Sequence, residues 1–172
     1  GMVCYLSDVN QLQIYNGSAW VVVADTDLGT QRIVQVVHSE TETQYSTTST
    51  TYQDITDLTT SITPQSTSST LLVLVTLQTG HDDNTGGFIR MKRNGTTIAL
   101  DPAAWFYSGN SNSGYAGLGV SFMAAMSPAS TSAQTLLVQF KSEHAYFTMI
   151  NRSRNDSAQS GASTMTIFEV SA

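Results

Sequence analysis

Leu71-Leu72-Val73-Leu74-Val75-Thr76-Leu77 is an almost unbroken apolar run, entered from the turn-forming cluster Gln65-Ser66-Thr67-Ser68-Ser69. A short apolar run bounded by turn residues reads as a strand, and its lack of alternation predicts a central strand covered on both faces. Outward from it, strand signals recur at short intervals with turn residues between them. Upstream are Ile33 to His38 and Tyr52 to Leu58; in the second, Tyr52, Asp54 and Thr56 share one face, Ile55 lies on the other, and Thr59 to Thr63 extends it toward Pro64. Downstream, Phe88 to Arg93 and Thr96 to Leu100 flank Asn94-Gly95, a dipeptide suited to the positive φ angles of a tight hairpin turn. Leu118 to Met126, Leu136 to Ser142, Tyr146 to Ile150 and Thr164 to Val170 complete a set of about nine strands. Phe122, Met123 and Met126 also fit helical spacing, but no stretch has a strong amphipathic helical pattern. This spacing predicts an all-β sandwich or barrel, of which the jelly roll is the eight-stranded version.

Ahead of these strands, Leu12 and Ile14 alternate with Gln11, Gln13 and Tyr15, and Asn16-Gly17 leads into Trp20-Val21-Val22-Val23. The segment reads as a β-hairpin. A lone hairpin is marginal in water, so Trp20 is expected to pack on the following domain or on a neighbouring chain. Asp25 to Gln31 reads as a linker. The expected organisation is a hairpin module with its linker over 1–29 and a sandwich domain over 30–172.

Composition narrows the function. Of 172 residues, 22 are Ser and 24 are Thr, while only 12% are charged and 40% are hydrophobic. Thr suits half-buried pleated surfaces and Ser suits turns, and the apolar content excludes a disordered Ser/Thr tract. A net charge of −6 with only seven Lys and Arg argues against nucleic-acid binding, which needs a phosphate-neutralising patch. The densest basic cluster is Arg90, Lys92 and Arg93; Arg90 and Lys92 alternate onto one strand face and read as solvated side chains. Cys4 is the sole cysteine, so neither an internal disulfide nor a cysteine zinc site is possible, which fits folding in a bacterial cytoplasm. No apolar run is long enough for a membrane-spanning helix, and no secretory signal is visible.

Few residues suggest catalysis. A Gly-x-Ser-x-Gly elbow is absent, and Gly109 to Gly114 has the wrong spacing for one. Asp101 and Glu143 flank apolar strands and read as turn or cap residues. His38, His81 and His144 are scattered; only the loop His81-Asp82-Asp83-Asn84 gathers an imidazole and oxygen ligands, without an EF-hand spacing. No cofactor and no metal are expected, His81, Asp82 and Asp83 being the residues a cation would use. The stretch Trp105 to Tyr115 interleaves aromatic residues with Gly, Ser and Asn, the mixture that adaptable binding surfaces use. Aromatic rings with polar edges also suit sugars. Its ligand-binding candidates are Trp105, Tyr107, Asn110, Asn112 and Tyr115; Trp105 and Phe106 better suit a plug of the core or a subunit interface, which leaves Tyr107, Asn110, Asn112 and Tyr115 as the exposed candidates. A second candidate is the loop Asn151 to Ser160, where Arg152 and Arg154 suit carboxylates, acidic sugars or an inter-subunit ion pair.

Tyr45-Ser-Thr-Thr-Ser-Thr-Thr-Tyr52-Gln-Asp-Ile-Thr-Asp-Leu58, then Ser61-Ile-Thr-Pro-Gln-Ser-Thr-Ser-Ser69 and Leu71 to Val75, resembles a domain of phage tail-fibre and particle proteins, notably from marine and cyanobacterial phages. Ile150-Asn-Arg-Ser153 and Gly161 to Val170 are similar to the end of the same domain, and Tyr5 to Trp20 resembles a separate short module of phage fibre proteins. Together these cover nearly the whole chain. The chain departs from the pattern at Asp57, where Gly is usual, and at Thr70, where a basic residue is usual; Trp105 to Gly117 has no counterpart. The resemblance implies a jelly-roll-like sandwich, a homotrimer about a threefold axis, a place in the virion among other virion proteins, and a structural or adhesive role. For an adhesive role, host cell-surface polysaccharide is the expected ligand. It implies no catalytic residue. A capsid decoration protein is the alternative, and a polysaccharide depolymerase has no supporting motif.

Overall fold

The computed structural model describes residues 2–6, 11–22, 31–81, 86–107, 117–153, 158 and 160–172. The chain divides into two compact units, Gly1–Arg32 and Ile33–Ala172.

The first unit is a three-stranded antiparallel sheet of β1 (Val3–Leu6), β2 (Gln11–Tyr15) and β3 (Trp20–Val22). The expected hairpin is β2–β3, and β1 adds a strand to its other edge. Asn16 builds the turn: its Oδ1 accepts hydrogen bonds from the backbone N–H groups of Ser18 and Ala19, both at 3.0 Å. Gly17 follows at φ +104°, a conformation that glycine adopts without strain. Val3, Ile14 and Val21 form one cross-strand row and Tyr5 and Leu12 the next, and all five side chains are exposed. Trp20 packs on Tyr15 within the unit, ring centroids 5.6 Å apart, yet stays 43% exposed.

The second unit holds β4 (Ile33–Thr41), β5 (Tyr45–Thr47), β6 (Gln53–Ile62), β7 (Thr70–His81), β8 (Gly86–Arg93), β9 (Thr96–Tyr107), β10 (Gly117–Met126), β11 (Gln134–Ser142), β12 (Thr148–Ile150) and β13 (Ser163–Val170). The short β5 was not expected. The front sheet runs β6-β11-β8-β9, and the back sheet runs β4-β13-β7-β12-β5 with β10 on the other edge of β7. Numbering the eight long strands in chain order gives 2-7-4-5 in front and 1-8-3-6 behind, a jelly-roll order. Leu58, Val73, Ile89, Val138, Phe140, Ile150 and Ile167 belong to the one buried cluster between the sheets. The all-β sandwich is therefore as expected.

Local chemistry explains the departures. Leu71, Val73, Val75 and Leu77 are fully buried, but Leu74 is 42% exposed. β7 is central in hydrogen bonding, with partners on both edges, while only its inner face meets the opposite sheet. Cover on both faces is thus corrected to cover on one. In β6 the expected alternation breaks: Ile55 and Leu58, three apart, are both buried, because the register on β11 shifts between Leu137 and Gln139. The Tyr45 hydroxyl serves this bulge, accepting from the Asp57 N–H at 3.0 Å. Asn94 and Gly95 turn the β8–β9 hairpin at φ +49° and +82°. β9 runs on to Tyr107, and Pro102 falls where its register against β8 is interrupted, so the missing N–H costs no ladder bond.

Two buried polar residues tie the unit together. Asn151, at φ +60° and fully buried, donates from Nδ2 to the carbonyls of Thr41 (2.8 Å) and Thr43 (3.0 Å) and accepts from Ser163 Oγ (2.6 Å). Glu169, also fully buried, accepts from the N–H groups of Gln65 (2.8 Å) and Ser66 (3.2 Å). With its amide nitrogen turned inward, Gln35 donates to the same carboxylate at 3.2 Å.

Candidate functional site

The outer face of the front sheet carries a cluster of cations and aromatic rings. In β8, Phe88, Arg90 and Lys92 alternate with the buried Ile89 and Met91, so their side chains face outward. In β11, Lys141 alternates with the buried Phe140 and Ser142. Antiparallel register sets Lys141 beside Phe88 and Gln139 beside Arg90, and on the far side of β11 sets Gln139 beside Asp54. Four of the seven basic residues of this acidic chain lie in β8 and β11: Arg90, Lys92, Arg93 and Lys141.

These side chains hold one another in place. The Arg90 guanidinium carbon lies 3.9 Å from the Tyr52 ring centroid, and Lys141 Nζ lies 4.9 Å from the same centroid and 5.0 Å from that of Phe88. Each cation–π contact contributes about 0.5–2 kcal/mol, more where water is excluded. A relay fixes Arg90 from below: its Nε donates to Gln139 Oε1 at 2.7 Å, and Gln139 Nε2 donates to Asp54 Oδ1. Gln139, the middle of the relay, is only 4% exposed, while Asp54 at its end reaches water. Among the described residues, neither Arg90 nor Lys141 forms an ion pair, and Nε is the one Arg90 nitrogen used in hydrogen bonding. Two positive charges therefore share one ring without a neutralising carboxylate against either. Such a surface is suited to holding a planar anion beside an apolar ring.

The residues expected from sequence fall elsewhere or beside this face. Trp105 and Tyr107, read as loop residues, have their backbones in β9, paired with Phe88 and Gly86; β-pairing carries the strand into the first residues of the stretch where a loop was expected. Asn110, Asn112, Tyr115 and Arg154 lie outside the described residues, as do Asp82 and Asp83. His81 ends β7, buried, with its backbone paired to Thr148. Arg152 forms a β-bridge with Ser160 and donates from Nε to the Ser153 carbonyl at 3.2 Å, so it is held within its own loop. Among the described residues no cluster of His, Cys, Asp and Glu is arranged to hold a metal, and no helix is long and apolar enough to cross a membrane.

Sequence reasoning found Arg90 and Lys92 on one strand face but read them as solvated. It missed Lys141, Gln139 and Phe88 as members of one site, because cross-strand pairing decides their company. The alternation of 88, 90 and 92 against apolar 89 and 91 was the available signal.

No family model and no curated protein matches the sequence. Among solved structures, the dimeric latent PorU from Porphyromonas gingivalis aligns over 80% of this chain at 11% identity and a TM-score of 0.48. The alignment spans 12% of that much longer chain.

Proposed function

We propose that this chain is an adhesive domain of a phage particle, a tail-fibre or receptor-binding module that works as a homotrimer and holds polysaccharide on the host surface. The observation that carries the reading is the front face, where cations without carboxylate partners are stacked on aromatic rings. Strands of a packed sandwich hold such a site more precisely than loops do. The likeness of the sequence to tail-fibre proteins supplies the setting: a virion protein made in the cytoplasm of a bacterial host.

The mechanism is multivalent adhesion rather than catalysis. One site with a Kd on the order of 1 mM contributes only about 4 kcal/mol. Three sites on one trimer gain avidity without new contacts if the geometry lets them engage together. Exposed apolar side chains support association: Val3, Tyr5, Leu12, Ile14 and Val21 in the first unit, and Val36, Leu74 and Met123 on the outer face of the back sheet. Apolar patches of this kind mark contact surfaces with copies of the chain or other virion proteins.

A second reading, a capsid decoration protein, is favoured by the separate Gly1–Arg32 unit, whose apolar sheet is suited to gripping a shell. Copy number in the particle separates the two: decoration predicts the multiplicity of the capsid lattice, a fibre that of the tail. The adhesion reading is tested by adding the purified chain to host cells. It should bind them and block phage adsorption; a chain that does neither refutes the reading.

A further inference from the structure

We infer that the front face holds an acidic sugar, with the Arg90 guanidinium and the Lys141 ammonium taking its carboxylate and the Phe88 ring lying against the pyranose; this rests on the adhesion reading and names its ligand. The first observation is electrostatic. The chain carries −6 overall, yet two of its seven basic side chains converge on the Tyr52 ring, 3.9 Å and 4.9 Å from its centroid, with no ion pair among the described residues. Placing like charges side by side is unfavourable; the Tyr52 ring and the Asp54 carboxylate behind Gln139 offset it in part, and an anion on the outer side would offset it further.

The second observation is pre-organisation. Arg90 Nε is occupied by Gln139, which is itself tied to Asp54, so the guanidinium plane is set before any ligand arrives. Its two terminal nitrogens make no hydrogen bond to a described residue. A planar guanidinium fork with its outer edge available matches a carboxylate bidentately, and a fixed fork loses little rotamer freedom on binding.

The third observation is the ring beside the charge. Lys141 Nζ stands 5.0 Å from the Phe88 centroid, so an anion on Lys141 would bring its attached sugar ring to Phe88. Aromatic faces accept the apolar side of a pyranose. Nucleic acid is disfavoured, because a phosphate track needs many cations and the chain holds seven in all.

Calorimetric titration of the full chain tests the assignment, with oligogalacturonate and alginate oligosaccharides as acidic probes, a carboxyl-reduced neutral oligogalacturonate, and oligothymidylate. Binding to an acidic oligosaccharide is expected, weakening as salt rises and falling roughly tenfold or more in R90Q/K141Q. K141R, which keeps the charge, should retain most of the affinity. Melting curves establish that the variants are folded. Equal binding of the neutral oligosaccharide, no binding of either acidic probe, or unchanged affinity in the folded double variant would overturn the assignment. Preference for oligothymidylate would replace it with a nucleic-acid site. Host cells separate the two proposals. If wild type and R90Q/K141Q adhere equally, the subsite fails and adhesion stands. If the wild type takes acidic oligosaccharide but ignores cells, adhesion fails and the subsite stands.

Discussion

Arg90 lies against Tyr52 and is held there by Gln139, whose Oε1 accepts its Nε–H at 2.7 Å. Gln139 is buried under the stack and has Asp54 as its other partner. Replacing Gln139 by Ala should therefore act on both stability and site. Urea unfolding should show a loss of about 0.5–1.5 kcal/mol, the net worth of hydrogen bonds whose remaining partners, Arg90 and Asp54, still reach water. Affinity for an acidic oligosaccharide should fall severalfold, because Arg90 must then be ordered at the expense of binding. Y52F keeps the ring and should stay near wild type in affinity, whereas Y52A should not.

Asn151 makes side-chain bonds to Thr41, Thr43 and Ser163 from a left-handed backbone conformation. N151A removes the bonds and keeps the strain, so about 3 kcal/mol of stability should be lost. N151G relieves the strain and should lose less. Equal melting temperatures for N151A and wild type would contradict this role.

Glu169 anchors the turn at Gln65 and Ser66 through its carboxylate. E169A should cost roughly 2–3 kcal/mol, and E169Q about half as much, since the amide oxygen still accepts one bond. Hydrogen exchange at the Gln65 and Ser66 amides should accelerate in E169A before the rest of the sandwich opens.

Gly80 lies beside the Arg152 carbonyl, and a Cβ added there would collide with that oxygen. G80A should therefore displace the segment that follows β12 and bears Arg152, and destabilise the fold by about 1–3 kcal/mol, measurable by thermal denaturation. A neutral G80A would show that the contact yields without cost.

The apolar row Val3–Ile14–Val21 predicts self-association. Light scattering should give a mass near three times 18.5 kDa, and V3S/I14S should shift it toward the monomer. A wild-type monomer would remove the avidity mechanism.

Much of the fold was legible because inward residues alternate. Ile89 and Met91, Leu136 and Val138, and Met165 and Ile167 each mark a core face, and Asn94-Gly95 fixes its hairpin by backbone chemistry alone. What local patterning missed depends on contacts distant in sequence. β1 joins the front hairpin through Tyr5 and Leu12, β9 continues past Pro102 because β8 supplies partners, and Leu74 looks as buried as Val73 until the layers are known. The site was half legible for the same reason. Arg90 and Lys92 share a face within one strand, but Tyr52 and Lys141 reach Arg90 only through the pairing of β6, β11 and β8.

Backbone amide chemical-shift mapping during titration with acidic oligosaccharide tests the central claim most directly. The shifts should concentrate at Tyr52 to Asp54, Phe88 to Lys92 and Gln139 to Lys141, and vanish in R90Q/K141Q. Shifts confined to the outer face of the back sheet, around Leu74 and Met123, or to Arg152 and its neighbours would contradict it.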